Sequence, residues 1–255
     1  NESTLAADKI IDVVSVLQGM GVSVIILTGG EPLLEYDKLK IILKKADLNR
    51  SDFHLHTSGD GITIDKARVL KEMGLTAAAV GIEHVNPKMN DKIRGEGSFE
   101  SALSAFKIFN ESGILTYVNL CATDDLIESG EQFNYYNLMK DLNVSMIQLL
   151  EPRPFGGLFN KDVNKMLSAE NKNYLKKFMQ IGNMERKYAD YPLIYYVAHL
   201  EHAEQMGCMM GGLSHFYIDS KGNVNPCVFL PVSFGNILEN DFDSIYKKMR
   251  ESIPL

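Results

Sequence analysis

The sequence has no uninterrupted apolar run near the ~20 residues that a helix needs to cross a bilayer. It has no excess of positive charge either. Its 33 acidic residues against 26 basic ones give a net charge of −7 and a pI of about 5.4. That average field repels phosphates, which argues against an electrostatically driven nucleic-acid partner and leaves room only for a local basic patch. Cysteine is scarce. Cys121, Cys208 and Cys227 are odd in number and too sparse for a disulfide framework, so reduced thiols or metal ligands are expected. The opening Asn1-Glu2-Ser3-Thr4 does not read as a signal peptide, and the expected location is the cytoplasm, with no membrane partner.

What is present is a chain of 255 residues, 45% hydrophobic and 23% charged, long enough to bury roughly 70–75% of its unfolded surface. Helical spacing over Thr4 to Gly19, with Ser3 or Thr4 as N-cap, leads into the apolar run Val22 to Leu27. Strand-like runs then alternate with helix-like ones. The strands are Phe53 to Thr57, Thr76 to Glu83, Leu115 to Cys121 and Val144 to Leu150; the helices are Tyr36 to Lys45, Asp65 to Met73, Phe99 to Ser112 and Gly130 to Leu142. Gly21, Gly74 and Gly113 each precede an apolar residue, as C′ glycines do between a helix and the next strand. Such alternation predicts an α/β fold of parallel βαβ units with right-handed crossovers, a full or partial TIM-like barrel. Sites in that architecture lie just after the strands.

The residues after the strands carry chemistry. Leu27-Thr28-Gly29-Gly30-Glu31-Pro32 closes the first run. Paired glycines let the backbone turn sharply and a ligand approach, Glu31 adds a carboxylate, and Pro32 stiffens the exit, so free carbonyls and an acid together make an ammonium site. A tight turn with a solvated Glu31 is the plainer reading of the same residues. Thr57-Ser58-Gly59, Gly81 with Glu83, Arg94, Asn119 and Glu151-Pro152 follow or close the later strands. A ligand bearing an ammonium, a carboxylate, a sulfonium and a ribose needs an acid, a cation and hydroxyl partners at one mouth, and Glu31, Arg94, Ser58 and Glu83 are of those types.

Gly29-Gly30-Glu31-Pro32 closing a strand resembles the signature of the radical S-adenosylmethionine (SAM) enzymes, in which it binds the amino group of the methionine moiety. Arg94 and the following Gly-Ser-Phe-Glu resemble the stretch whose arginine pairs with the SAM carboxylate, a task suited to a bidentate guanidinium. Ser98 to Glu100 also reads as a plain N-cap with a first-turn acid. Thr57-Ser58-Gly59 is similar to a family Thr-Asn-Gly position, with Ser58 replacing Asn, and Gly81 and Glu83 depart from the family's Ser-x-Asp. The resemblance therefore implies Gly29, Gly30, Glu31 and Pro32 at the amino group, Arg94 at the carboxylate, Ser58 and Glu83 at the ribose, and backbone at Asn119 and at Glu151-Pro152 against adenine. Phe155-Gly156-Gly157 would border the substrate entrance.

The C-terminal segment is expected to form a hairpin, His215 to Asp219 and Val224 to Phe229, then a short helix, Phe242 to Met249. With Cys208, Pro226-Cys227 and Gly235-Asn236-Ile237 it resembles the SPASM or twitch extension, whose cysteines bind auxiliary iron–sulfur clusters, although Cys208 and Cys227 alone do not complete a four-cysteine set and two buried free thiols are the alternative. The expected division is residues 1–190 as a partial (β/α)6 barrel with its first strand missing, and 191–255 as a truncated extension. The Cys-x-x-x-Cys-x-x-Cys triplet that holds the family's [4Fe-4S] cluster is absent from the sequence; a truncated or partly observed enzyme, inactive in this form, is expected, with a relative that has lost the cluster as the alternative. The resemblance implies cleavage of SAM to a 5′-deoxyadenosyl radical, an external electron donor, and a peptide, protein or small-molecule substrate, tetrapyrrole precursors included.

Two other functions compete. His54 and His56 share one face of a strand, and with His84 and Asp60 they would approach a zinc hydrolase site. Their position ahead of Thr57 argues instead for packing inside the strand. A non-catalytic peptide-binding scaffold with a barrel shape is the third reading. His199 and His202, about one helical turn apart, read as a solvated face or as a metal pair.

Overall fold

A computed structural model of the chain describes residues 5–153 and 167–253. Helix α1 (Ala7–Gly19) starts behind Ala6 without a side-chain cap and leads into β1 (Val24–Leu27). There follow α2 (Tyr36–Lys45), β2 (Asp52–Thr57), α3 (Ile64–Glu72), β3 (Leu75–Val80), α4 (Pro87–Arg94), α5 (Ser98–Glu111), β4 (Leu115–Cys121), α6 (Asp124–Glu128), α7 (Glu131–Asp141), β5 (Met146–Leu150), α8 (Ala169–Met184) and β6 (Leu193–Tyr196). The six strands pair in sequence order and all in parallel, with β1 and β6 as edges, so the sheet is a partial barrel. The strand Leu193–Tyr196, expected in the C-terminal extension, belongs to this sheet: Ile147 stands beside Ile194 and Leu149 beside Tyr196.

Alternation along each strand separates two faces. Phe53, Leu55, Ala78, Val80, Val118, Leu120, Ile147 and Leu149 are all at most 3% exposed, and they form the main core with apolar residues of the helices such as Leu43, Leu70, Phe106 and Tyr135. The opposite, inner face holds a separate small cluster of Ala77, Ala79 and Tyr117 with Met146 against it. Helix exits follow the expected pattern, since Gly21, Gly74 and Gly113 all have positive φ.

Beyond β6 come the short α9 (Val197–Leu200) and an antiparallel pair, β7 (Tyr217–Ile218) with β8 (Val224–Asn225). This hairpin is shorter than the apolar pattern predicts. Asp219 Oδ1 accepts hydrogen bonds from the backbone N–H groups of Lys221 and Asn223, which starts the turn early, and Pro226 lacks the N–H that would extend the ladder. Helix α10 (Phe242–Ser252) then buries Phe242, Ile245 and Met249 behind an Asp241 cap.

Candidate functional site

The site is built where β1, β2 and β3 end. Gly29 has φ +143°, a conformation that favours glycine, and it lets the chain leave β1 abruptly. Thr28, Gly29 and Gly30 are exposed. Glu31 then turns back across the sheet. Its Oε1 accepts from Leu33 N at 3.0 Å and from Thr57 Oγ1 at 2.5 Å, and its Oε2 accepts from Ser58 N at 2.7 Å and Ser58 Oγ at 2.6 Å. Burial alone would raise its pKa, but these bonds from Ser58, Thr57 and Leu33 outweigh burial and hold the carboxylate below its ordinary value. Glu31 is thus an anion that clamps the end of β1 to the end of β2. The Ser58 hydroxyl, read from sequence as a ribose contact, is here committed to Glu31.

One step further along, Gly81 N donates to Thr57 O at 3.2 Å. Against Gly81 lies the guanidinium of Arg94: a Cβ on residue 81 would collide with Arg94 Nη2 and Cζ. Arg94 Nη1 donates to Glu83 Oε1 at 2.8 Å, with the Glu83 side chain 19% exposed and that of Arg94 30%. Burial raises the Glu83 pKa, and Arg94 and the backbone N–H of Cys121 partly offset that. The two departures from the family pattern explain each other. Glycine at 81 makes room for Arg94, and the longer acid at 83 reaches it.

A second layer holds this corner in place. Asn90 is fully buried; its Oδ1 accepts from Glu83 N at 2.8 Å and its Nδ2 donates to Ser98 Oγ at 2.9 Å. Asp91 accepts from the Phe99 and Gly97 backbone N–H groups at 2.9 Å each and from Ser98 Oγ at 3.0 Å. Helix α4, on which Arg94 rides, is capped by Asn86 with Pro87 in its first turn. Asn86-Pro87 is the sequence signal for this helix, which the apolar periodicity does not reveal. Nothing comparable announces Asn90.

Asn119 closes the row with a buried Oδ1 that has no protein partner among the described residues, an acceptor available to a donor such as an exocyclic amino group. Cys121 lies exposed at the rim, where partial desolvation and then the Glu83 charge push its thiol up to about 11. Glu151 accepts from Tyr196 Oη at 2.6 Å and pairs with Lys172 Nζ at 2.9 Å, which ties the end of β5 to α8 and β6. Phe155-Gly156-Gly157 lies outside the described residues.

His54 and His56 pack within β2, both on Tyr117. The Tyr117 hydroxyl is 2.8 Å from His56 Nε2 and 3.3 Å from His54 Nδ1, and the rings meet edge to face. Among the described residues no group of three or more His, Cys, Asp or Glu side chains is placed to hold a metal ion, which leaves a zinc site at this pair without a third such ligand. In the C-terminal segment Gly211 N donates to Pro226 O at 2.9 Å, bringing the Cys208 and Cys227 segments side by side, Cys208 exposed and Cys227 buried.

A family model described as the radical SAM superfamily matches residues 2–125, and one described as an iron–sulfur cluster-binding domain, SPASM, matches residues 208–252. Residues 2–125 thus form a radical SAM domain, and residues 208–252 a SPASM domain. Its sequence is 23% identical over 265 residues to an AdoMet-dependent heme synthase of Oleidesulfovibrio alaskensis, covering 96% of this chain and 66% of that protein. The chain thus spans just under two thirds of that relative's length. Two solved structures share the radical SAM fold: anSMEcpe with bound AdoMet and a Cp18Cys peptide (TM-score 0.71, 17% identical, 97% of this chain and 74% of that one), and Streptococcus suis SuiB bound to the precursor peptide SuiA (TM-score 0.77, 15% identical, 96% and 58%). SAM and iron–sulfur clusters are the cofactors of this family assignment.

The residues present fit SAM better than they fit the clusters. A fixed anion, two exposed glycines and a guanidinium stand on adjacent strand ends, and Asn119 on β4 offers an acceptor without a partner among the described residues. Cys208 and Cys227 fall short of a four-cysteine set, and the sequence holds no cysteine triplet of the radical SAM spacing.

Proposed function

We propose that this chain binds SAM across the ends of β1 to β4 and uses it, as part of a radical SAM enzyme, to modify a peptide, protein or tetrapyrrole-type substrate. The observation that carries the reading is the continuous path Glu31–Thr57–Gly81–Arg94, which sets opposite charges on neighbouring strand ends with exposed Gly29 and Gly30 beside them. The negative field of Glu31 and the glycine carbonyls attract the ammonium of the methionine moiety. All four lone-pair directions of Glu31 are occupied, so its contribution is charge and shape unless Ser58 Oγ turns aside. Arg94 offers its guanidinium to the carboxylate, Glu83 orients Arg94 and faces the ribose, and Asn119 Oδ1 accepts from adenine. In this role the protein binds, orients and excludes water.

When a reduced [4Fe-4S] cluster is bound, the cofactor supplies the 5′-deoxyadenosyl radical, with an external electron donor; this sequence contains no cysteine triplet to hold that cluster. Heme synthase among the relatives points to a tetrapyrrole, and peptide complexes among the fold neighbours point to a peptide.

Titration calorimetry of the chain with SAM tests the binding step. Saturable binding that Arg94→Ala abolishes is the expected result. Binding that Arg94→Ala leaves unchanged overturns the assignment.

A further inference from the structure

We propose that His54, Tyr117 and His56 form a proton relay on the inner face of the sheet, serving a substrate group with an exchangeable proton such as a hydroxyl, thiol or amide N–H. This rests on the proposed function to the extent that the substrate enters over that face. The array itself follows from the structure.

Tyr117 on β4 reaches across β3 to touch both histidines of β2. It can do so because β3 presents only Ala77 and Ala79 on this face, and both pack against the Tyr117 side chain. The Tyr117 hydroxyl has one hydrogen to give and lone pairs to receive. Among the described residues its partners are His56 Nε2 at 2.8 Å and His54 Nδ1 at 3.3 Å. Burial lowers the pKa of both imidazoles, with Asp52 partly opposing it at His54 and His54 adding to it at His56, so both rings are neutral near pH 7. Each neutral ring carries one N–H and one lone pair.

The tautomers are therefore locked together. When the hydroxyl donates to His56 Nε2, His56 carries its proton on Nδ1, and His54 must donate from its own Nδ1. In the reverse arrangement the hydroxyl donates to His54 Nδ1, and both rings carry their protons on Nε2. Either way the two outward nitrogens, His54 Nε2 and His56 Nδ1, are opposite in kind: one is a base and the other an acid. Neither has a protein partner among the described residues, and neither is shut away from solvent as Asn119 Oδ1 is. A proton accepted at the bare outward nitrogen moves the inner N–H proton to Tyr117, the hydroxyl proton to the far ring, and the far outward proton to water or substrate. One proton enters, one leaves, and the array ends in the mirror arrangement without any oxidant or reductant.

Ring-nitrogen NMR of the chain labelled with 15N-histidine tests this at neutral pH, without SAM or cluster. The expected result is the same tautomer at His54 and His56 in the wild type, with both ring signals shifted in Tyr117→Phe, which keeps the aromatic packing. Finding His54 protonated on Nδ1 and His56 on Nε2 would mean that both rings donate to the phenol oxygen, and would overturn the relay. So would ring signals unmoved by Tyr117→Phe. In the enzyme carrying its cluster, Tyr117→Phe is expected to lower kcat about 100-fold with SAM affinity unchanged, and an unaltered kcat overturns the catalytic use of the array. Failure of SAM to bind either protein would count against the proposed function and leave the NMR result standing.

Discussion

Arg94 occupies the space that a side chain on Gly81 would fill. A Cβ at residue 81 would collide with Arg94 Nη2, so any residue but glycine there must push the guanidinium off the strand end and away from Glu83. The displaced atoms are the far end of a flexible side chain, so the fold should tolerate the change. Gly81→Ala is expected to alter unfolding free energy by about 1 kcal/mol or less, yet to weaken SAM binding roughly 10- to 100-fold through loss of a charge-assisted contact. Calorimetric titration beside a urea melt separates the two effects. Equal losses in both would show that Gly81 serves only packing.

Glu31 receives four donors, and a glutamine cannot accept them all. Its amide nitrogen would face either the Ser58 pair or the Leu33 and Thr57 pair. Glu31→Gln is therefore expected to lose about 1–3 kcal/mol of stability as well as SAM affinity. The pH dependence has a definite sign. The folded pKa of Glu31 lies below the unfolded value of 4.5, so its stabilisation is complete above 4.5 and is lost as the pH falls through the folded value. A wild-type protein that loses stability on acidification below pH 4.5, with a smaller loss in Glu31→Gln, is the outcome to look for in urea midpoints.

Much of this fold is legible in the sequence because its signals are local. The spans of α2 and β4 coincide with their periodic runs, and the C′ glycines fall where expected. Strand β6 is not legible as part of the sheet because Pro192 to Val197 is short, apolar and followed by histidines, and only pairing with β5 distinguishes it from a loop. At the site, Glu31 and Arg94 are visible as residue types. Their protein partners are not: Ser58 and Glu83 read as ribose contacts, and no spacing signals that the Ser58 hydroxyl also bonds Glu31 or that Glu83 also bonds Arg94. Side-chain pairings across strands depend on register, and register is not written in any one segment.

The small residues of β3 are one such cross-strand requirement. Ala79 is 4% exposed and stands in register between His56 on β2 and Tyr117 on β4. Ala79→Leu would fill the space through which Tyr117 reaches the histidines. A loss of about 1–3 kcal/mol in a urea melt is expected from overpacking, with the ring-nitrogen signals of both histidines displaced. Unchanged histidine spectra in the Ala79→Leu variant would place the Tyr117 side chain elsewhere.

His56 makes the protein sensitive to mild acid in a different window from Glu31. Burial, with His54 adding to it, lowers its pKa from 6.5 to about 4, so between these values the unfolded chain takes up a proton that the folded one refuses. Stability is expected to fall as the pH drops from 6.5 towards 4, by up to about 3 kcal/mol from this group. His56→Gln removes the titration and should flatten that part of the curve. Stability profiles at matched ionic strength, wild type against variant, decide the matter; parallel slopes between pH 6.5 and 4 would assign the acid sensitivity to other groups.

Asn90 is the residue whose loss should couple stability to binding most tightly. It is fully buried, and both halves of its amide are used: Oδ1 fixes the Glu83 backbone N–H and Nδ2 holds the Ser98 hydroxyl, on either side of the segment that carries Arg94. Asn90→Ala strands a peptide N–H in a buried position, at a cost of about 1–3 kcal/mol. It also frees Glu83 and the Arg94 segment to move, so SAM affinity should drop in the same variant. Asn90→Asp keeps the acceptor for Glu83 N but removes the donor to Ser98 and adds a buried charge beside Asp91 and Glu83, which predicts the greater destabilisation. The order wild type, then Asn90→Ala, then Asn90→Asp in urea midpoint is the expected result, and the reverse order of the two variants would show that the acceptor to Glu83 outweighs the charge.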